Sequence, residues 1–423
     1  MMTTSSDVLV VGGGMAGAVA ALAAATRGRS VTLLRKAPGA TALASGAIDL
    51  APMGEQRHVT SVAVASATAG WLEAVASRSP SHPYCAVGPR GLALIGDAAD
   101  MILGRLADAG LPHAPFDAKG RGHLVVDLTG KVRRVASAQA SQKLEETEPG
   151  KRRIGVVRFR RHLSLDTGLT LAGLRAVFAN VVPVEVDWPD EADGAFLLPV
   201  EIGRRLDDPR GRSALFKLLR TAVAGKRLTH LVLPPIAGLE HVSEVMRAVS
   251  DVTGTKAVET LGGEASLPGH RLDRALSRAL EAAGVRLETN AHGASDGKLK
   301  RFPGAIVLAS GRFIGGGLER RDRLRETIFD LPVDDGARPI KDEPLDVLTS
   351  RRGLGAHRVF RAGIRIDENL RPLDVGGKPF REGLFAAGSV IGGHDPQADF
   401  SGMGVAILTG YLAGLRAAEW KRS

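Results

Sequence analysis

Cysteine is nearly absent. The 423-residue chain holds one, Cys85. A disulfide or a redox-active CxxC needs a pair, a cysteine-type structural zinc site needs several thiolates, and an iron–sulfur cluster needs about four. None can be built within this chain, so multi-step electron transfer here requires an organic cofactor and an acceptor on another molecule. Aromatic residues are scarce as well, at 4%, with two tyrosines and three tryptophans, which is poor material for the base-stacking platforms of a single-stranded nucleic-acid binder. No apolar run reaches the roughly 18 residues of a membrane-crossing helix; the longest, 15–25 and 405–412, fall short. Residues 1–7 lack the basic start and apolar stretch of a secretory signal. The expectation is a cytoplasmic chain.

What is present is the balance of a globular protein, 44% hydrophobic and 24% charged, with length for two or three domains. The net charge of +10 is spread along the sequence. Its densest cluster, Lys151, Arg152, Arg153, Arg158, Arg160 and Arg161, reads as a solvated basic face. Glycine is in surplus, with 52 residues, about 12% against a usual 7%.

Apolar periodicity locates the elements. Residues 8–11 read as a buried parallel strand, 18–25 as a tightly packed helix and 31–34 as a second strand. A hairpin is expected at 123–135 around Thr129-Gly130. Helices are expected over 213–224 and 239–249, with a strand at 231–233. Leu272, Leu276 and Leu280, four apart with Arg274, Arg278 and Glu281 between them, mark an amphipathic helix. Strands follow at 285–289, 305–308 and 384–387, then a last helix over about 404–418.

The first chemical signal is Gly12, Gly14 and Gly17, a GxGxxG between a strand and a helix. The three glycines permit a tight turn, backbone approach to a pyrophosphate and close helix–strand packing, while the amides at the helix start, with Met15 and Ala16, face an anion. An acid is expected where the second strand ends, to accept from ribose hydroxyls. The sequence has Arg35 and Lys36 there. Arginine pairs with phosphate and accepts nothing, so three readings stand open: NADP, FAD with altered adenosine contacts, or a mononucleotide flavin.

The C-terminal segment holds a second strand-to-helix turn, through Gly388-Ser389, Gly392 to Asp395, and Gly402-Met403-Gly404-Val405. Its amides offer positive potential where a reduced flavin carries negative charge. With Ser45-Gly46 and Ser310-Gly311 in between, this order of motifs resembles the two-dinucleotide-type flavoprotein oxidoreductases, which include fumarate reductase and glycerol-3-phosphate dehydrogenases. The stretches 307–318, 363–372, 384–396 and 402–404 are similar to those of the B subunits of anaerobic glycerol-3-phosphate dehydrogenases. The gap at 290–304 is too short for the three-stranded meander that relatives carry.

That resemblance implies an α/β architecture: a Rossmann-like FAD-binding domain with a parallel sheet and βαβ unit, built from 1–50, 265–330 and 370–423. An inserted α+β substrate or cap domain covers 51–264 and 331–369. It implies FAD, with FMN as the alternative. It implies oxidation of sn-glycerol 3-phosphate to dihydroxyacetone phosphate, with electrons passed toward quinone. The implied partners are the A subunit of such a complex, a catalytic flavoprotein, and its iron–sulfur C subunit, through which membrane contact is indirect, at the inner face. For the chemistry, a base beside the flavin and a cation for phosphate are wanted: His394 is the candidate base, Arg312 and Arg271 (with His270) the candidate phosphate cations. Cys85 reads as an inert small residue. The competing readings are a stand-alone FAD oxidoreductase acting on another small substrate, and an assembly subunit that has lost its flavin.

Overall fold

The structure is a computed structural model of the chain, and it describes residues 6–50, 79–117, 122–145, 152–160, 167–187, 197–289, 299–350, 352 and 356–421. The chain opens with β1 (Val8–Val11), α1 (Met15–Thr26) and β2 (Val31–Arg35). A short strand, β3 (Ala47–Ile48), and an amphipathic helix, α2 (Ile95–Asp108), precede the hairpin of β4 (His123–Val126) and β5 (Val132–Val135). In its turn Asp127 accepts from the Thr129 and Lys131 amides, the local bonding that favours Asp in turns. β6 (Ser137–Ala138) then pairs antiparallel with β3.

A second parallel unit follows: β7 (Ile154–Arg160), α3 (Gly168–Arg175), β8 (Val181–Asp187), α4 (Pro199–Asp207), α5 (Pro209–Val223), β9 (His230–Leu233), α6 (Val242–Thr253) and β10 (Lys256–Glu259). Its strands form a sheet of order β10-β9-β7-β8, all parallel. Proline opens α4 and α5 at a position where the missing amide costs nothing, and Asp208 caps α5 by accepting from the Arg210 amide.

The chain then returns with α7 (Leu267–Ala282), β11 (Arg286–Thr289) and β12 (Ala305–Leu308). The shortened meander expected between these strands falls mostly on 290–298, outside the described residues. Two small antiparallel pairs, β13 (Leu318–Arg320) with β14 (Leu324–Glu326) and β15 (Val333–Asp334) with β16 (Gly363–Ile364), lead to β17 (Leu384–Ala386) and α8 (Gly402–Glu419).

Among the described residues, β11-β2-β1-β12-β17 form a five-stranded parallel sheet. Its strands lie within 1–50, 265–330 and 370–423, and the β7–β10 sheet lies within 51–264. α1 is buried over nearly its whole length between the five-stranded sheet and α8. Small residues allow this: a side chain on Gly410 or Gly414 of α8 would strike the Ala16 or Ala20 carbonyl, at 2.5 and 2.3 Å. One continuous apolar core spans both sheets, from Val10 and Val307 to Val157 and Leu231.

Candidate functional site

β1 has β2 and β11 on one side and β12 and β17 on the other, so the connections diverge at β1 and β12. In an open parallel sheet the crevice at such a switch point, beyond the carboxyl ends of the strands, is where ligands bind. Two glycine-bearing strand ends meet there. The Ala309 amide donates to the Val11 carbonyl at 2.8 Å. Gly12 has φ +117°, and a side chain on it would lie 2.1 Å from the Ala309 oxygen; one on Gly17 would lie 1.8 Å from the Gly12 oxygen. Both glycines are therefore demanded by close backbone approach.

At the start of α1 the Met15 amide donates to Thr41 Oγ1 at 2.8 Å. The first amides of a helix have no intrahelical partner, and this oxygen takes one of them while keeping its own hydroxyl proton to give. Gly12, Gly13 and Gly14 are half-buried and Lys36 is exposed, so the loop opens onto the crevice, whereas Met15, Ala16 and Gly17 are buried behind it. Helix-terminal amides, a hydroxyl donor and a glycine loop without side chains fit the pyrophosphate of a dinucleotide. Thr41 lies on a short helical turn (Ala40–Leu43) that carries no motif of its own in the sequence.

Arg35 does not project alone. Its stem lies over Gly13, where a side chain would sit 2.9 Å from the Arg35 Cβ. Its guanidinium meets α7: Nη2 donates to both carboxylate oxygens of Asp273, at 2.9 and 3.0 Å, and Nη1 to Ser277 Oγ at 3.1 Å.

On the other side of the crevice, Ser310 and Gly311 follow β12, and Gly388 and Ser389 follow β17. The Gly388 amide donates to Thr409 Oγ1 of α8 at 2.8 Å. Ser310 Oγ is buried without a hydrogen-bond partner. The α8 start brings Gly402 and Met403, half-buried, and Gly404 and Val405, buried, to the same end of the sheet. Here the space left by Gly404 is taken by Tyr84, whose hydroxyl would lie 2.0 Å from a side chain at that position.

The structure brings Arg312 and His394 together, and turns both inward. Arg312 donates from Nε to the Ser389 carbonyl at 2.7 Å, from Nη1 to the Phe360 carbonyl, and from Nη2 to the carbonyls of Ile391 and His394, at 3.1 and 2.8 Å. It thereby pins the whole turn after β17, and burial lowers its pKa to about 10. Nη2 also meets His394 Nδ1 at 3.1 Å. Nη2 has two hydrogens and three acceptors in reach, these two carbonyls and Nδ1; the ring's other nitrogen is Nε2. That nitrogen is buried with no partner. Burial first, then the Arg312 charge, holds the imidazole pKa well below its ordinary value. His394 is thus a neutral, solvent-excluded ring.

A second histidine, which no sequence motif marks, stands behind it. His82 is fully buried, its ring edge-on to His394 with centroids 5.4 Å apart. Its Nδ1 accepts from the Tyr84 amide at 3.2 Å and its Nε2 meets Ser401 Oγ at 3.1 Å. Burial, with Arg361 and Arg312 nearby, lowers its pKa to about 3. Cys85, half-buried beside it, has its thiol pushed up by burial.

Ser45 and Gly46 pack against Gln142. The Gln142 amide nitrogen donates to the Ser45 and Thr260 carbonyls, at 2.9 and 3.3 Å, while its oxygen and Thr260 Oγ1 are buried without partners. Arg271, which also meets Gln139 Oε1 at 3.3 Å, faces inward as well. Only 1% exposed, it donates from Nη1 and Nη2 to Glu259 at 2.7 and 3.0 Å, and from Nε to the Gly238 carbonyl at 2.6 Å. All three residues expected to act on substrate are therefore buried, and both arginines direct their guanidinium groups at protein atoms. Nothing in their sequence context separated a buried cation from a presented one. Asp273 had a weak signal, as an acid on the polar face of a helix otherwise rich in arginine.

A family model described as an FAD binding domain matches residues 7–295 and 256–405. Among curated proteins, the chain is 30% identical to the probable B subunit of the anaerobic glycerol-3-phosphate dehydrogenase of Halobacterium salinarum, covering 99% of each chain. It is 25% identical to the B subunit of the anaerobic glycerol-3-phosphate dehydrogenase of Pectobacterium atrosepticum, covering 95% of this chain and 96% of the relative. Among solved structures, 3-ketosteroid delta1-dehydrogenase from Sterolibacterium denitrificans is 12% identical over 99% of this chain and all of that one, at a TM-score of 0.38, too slight a likeness to argue from. The switch-point crevice, the glycine loop and the full-length similarity converge: the chain belongs to the FAD-binding domain family and, within it, to the B subunits of anaerobic glycerol-3-phosphate dehydrogenases.

Proposed function

We propose that this FAD-dependent dehydrogenase subunit takes part in the oxidation of sn-glycerol 3-phosphate to dihydroxyacetone phosphate. Its complex holds a second, catalytic flavoprotein, the A subunit, and an iron–sulfur protein, the C subunit, which delivers electrons to quinone. The observation that carries the reading is similarity over nearly the whole length to relatives named as the B subunit of that enzyme. The oxidation removes two electrons and two protons from the secondary alcohol; bound FAD supplies the two-electron acceptor. A chain with one cysteine has no cluster of its own, so its electrons must leave through a partner. No helix among the described residues is long and apolar enough to cross a membrane, and membrane contact in this reading passes through the iron–sulfur partner.

Within the chain, the regions 1–50, 265–330 and 370–423 form the flavin-binding part, and 51–264 with 331–369 the inserted part. Gly12, Gly14 and the first turn of α1 hold the pyrophosphate, helped by the Thr41 hydroxyl. Ser45-Gly46, Ser310-Gly311, Gly388-Ser389 and the α8 start, 402–405, flank the ring end. Arg312 fixes the β17 turn through its carbonyl contacts, and His394 completes that clasp. In this conformation both act as positioning groups.

One observation favours a second reading, in which this chain relays electrons and the catalytic flavoprotein partner turns over the substrate: His394, Arg312 and Arg271 are 0, 8 and 1% exposed, so none reaches a ligand in the crevice. The experiment is anaerobic addition of sn-glycerol 3-phosphate to the flavin-loaded chain. Bleaching of the isolated chain supports turnover by this chain. Bleaching only after the flavoprotein partner is added supports the relay. No bleaching in the assembled complex would contradict both.

A further inference from the structure

The acid missing from the end of β2 has a counterpart in space. Asp273, in the second turn of α7, brings its carboxylate to the guanidinium of Arg35, the residue that ends β2. α7 leads into β11, which pairs with β2 so that Arg35 lies level with Thr289. The helix therefore starts at the carboxyl edge of the sheet, the edge that also carries the glycine loop. The Arg35 stem crosses Gly13 on the way to Asp273, so the ion pair sits beside the loop assigned to the pyrophosphate.

We propose that Asp273 is the carboxylate that holds the adenosine ribose of FAD, with Arg35 as its positioning residue. The chemistry is sufficient. A carboxylate offers about four lone-pair positions, and Arg35 Nη2 uses one on each oxygen. The remaining positions accept two ribose hydroxyls. Both side chains keep some exposure, 12% for Arg35 and 15% for Asp273, unlike the sealed Arg271–Glu259 pair. The pairing also decides among the nucleotides left open by Arg35. A lone arginine invites a 2′-phosphate, whereas one neutralised by a carboxylate repels it and leaves acceptors for free hydroxyls.

This inference rests on FAD being the bound flavin, and its test separates the two. Apo-protein of the full chain is titrated with FAD and with FMN, following flavin fluorescence, for wild type and Asp273→Asn. FMN has no adenosine. Asp273→Asn is expected to weaken FAD about ten-fold or more, the worth of a hydrogen bond to a charged group, and to leave FMN unchanged. Asp273→Glu, which restores a carboxylate, is expected to recover most of the loss. An FAD affinity equal to wild type, or an equal loss for FMN, overturns the assignment. A wild-type chain that binds FMN but not FAD overturns the choice of cofactor as well. Should the variants fail to fold, wild type is titrated with an FAD analogue whose adenosine ribose lacks its hydroxyls: weaker binding upholds the proposal and equal binding overturns it.

Discussion

The two parallel sheets have carboxyl edges with opposite fates. The five-stranded sheet ends in glycine turns, at Gly12 after β1 and Gly311 after β12, and opens onto a crevice bordered by helix-terminal amides. In the β7–β10 sheet the carboxyl ends of β9 and β10 are closed. After β9 the chain runs into Pro234-Pro235, and proline has no amide to offer a ligand. At the end of β10, Glu259 accepts from the Ala237 amide at 2.6 Å and from Arg271 of α7. Arg271 also takes the Gly238 carbonyl after β9. One arginine of α7 thus stoppers the β9–β10 end of that sheet. Parallel topology supplies the edge; the residues after each strand decide whether it becomes a site.

The largest break in this comparison comes from the stopper. Arg271→Ala leaves Glu259 as a buried uncompensated charge, a cost of about 3–5 kcal/mol, measurable by denaturant unfolding, with flavin affinity of the folded fraction retained. Replacing the pair together, Arg271→Met with Glu259→Leu, is expected to cost much less than the two single changes summed. Next are the glycines of the open edge. Gly12→Ala or Gly17→Ala forces a methyl into a carbonyl 2.1 or 1.8 Å away, costing about 1–3 kcal/mol and most of the bound flavin, seen in the melting temperature and visible absorbance.

The histidine pair gives a pH test of about 2 kcal/mol. His82 titrates near 3 in the folded chain against an ordinary 6.5. The unfolded chain therefore gains protons as pH falls below about 6.5 while the folded chain does not, so stability is full above that pH and declines toward pH 3. Urea unfolding at about pH 8 and pH 5 should differ by about 2 kcal/mol for His82, with His394 adding in the same direction, and His82→Gln should remove its share. The smallest effect is expected at Cys85: Cys85→Ser should change stability by under about 1 kcal/mol and keep the flavin.

Legibility in the sequence followed the same divide. β1, β2, β12 and β17 are short apolar runs with glycine punctuation, because strands buried on both faces carry no alternation. Only β9 of the second sheet was readable. β7 hides in the basic run, where Arg158 and Arg160 are half of a cross-strand ladder with Glu185 and Asp187 of β8. Arg152 of that run is buried, with its guanidinium 5.2 Å from the Phe178 ring centroid. β8 carries Pro183, and β10 is four residues with an exposed start. Ion pairs between distant segments are invisible to periodicity, and for the same reason Asp273 and His82 could not be joined to Arg35 and His394. The glycine surplus was legible as a marker of close approach. In the structure the approach at Gly17, Gly388 and Gly404 is to the protein's own Gly12, Ala16 and Tyr84, with Gly13 and Gly14 left lining the crevice.

The most direct test of the open edge as an FAD site is to purify the full chain, release its cofactor and weigh it by mass spectrometry. The account predicts FAD at one per chain, lost together with the glycine loop in Gly12→Ala. FMN in its place, or a folded chain that takes up no flavin on reconstitution, would contradict it.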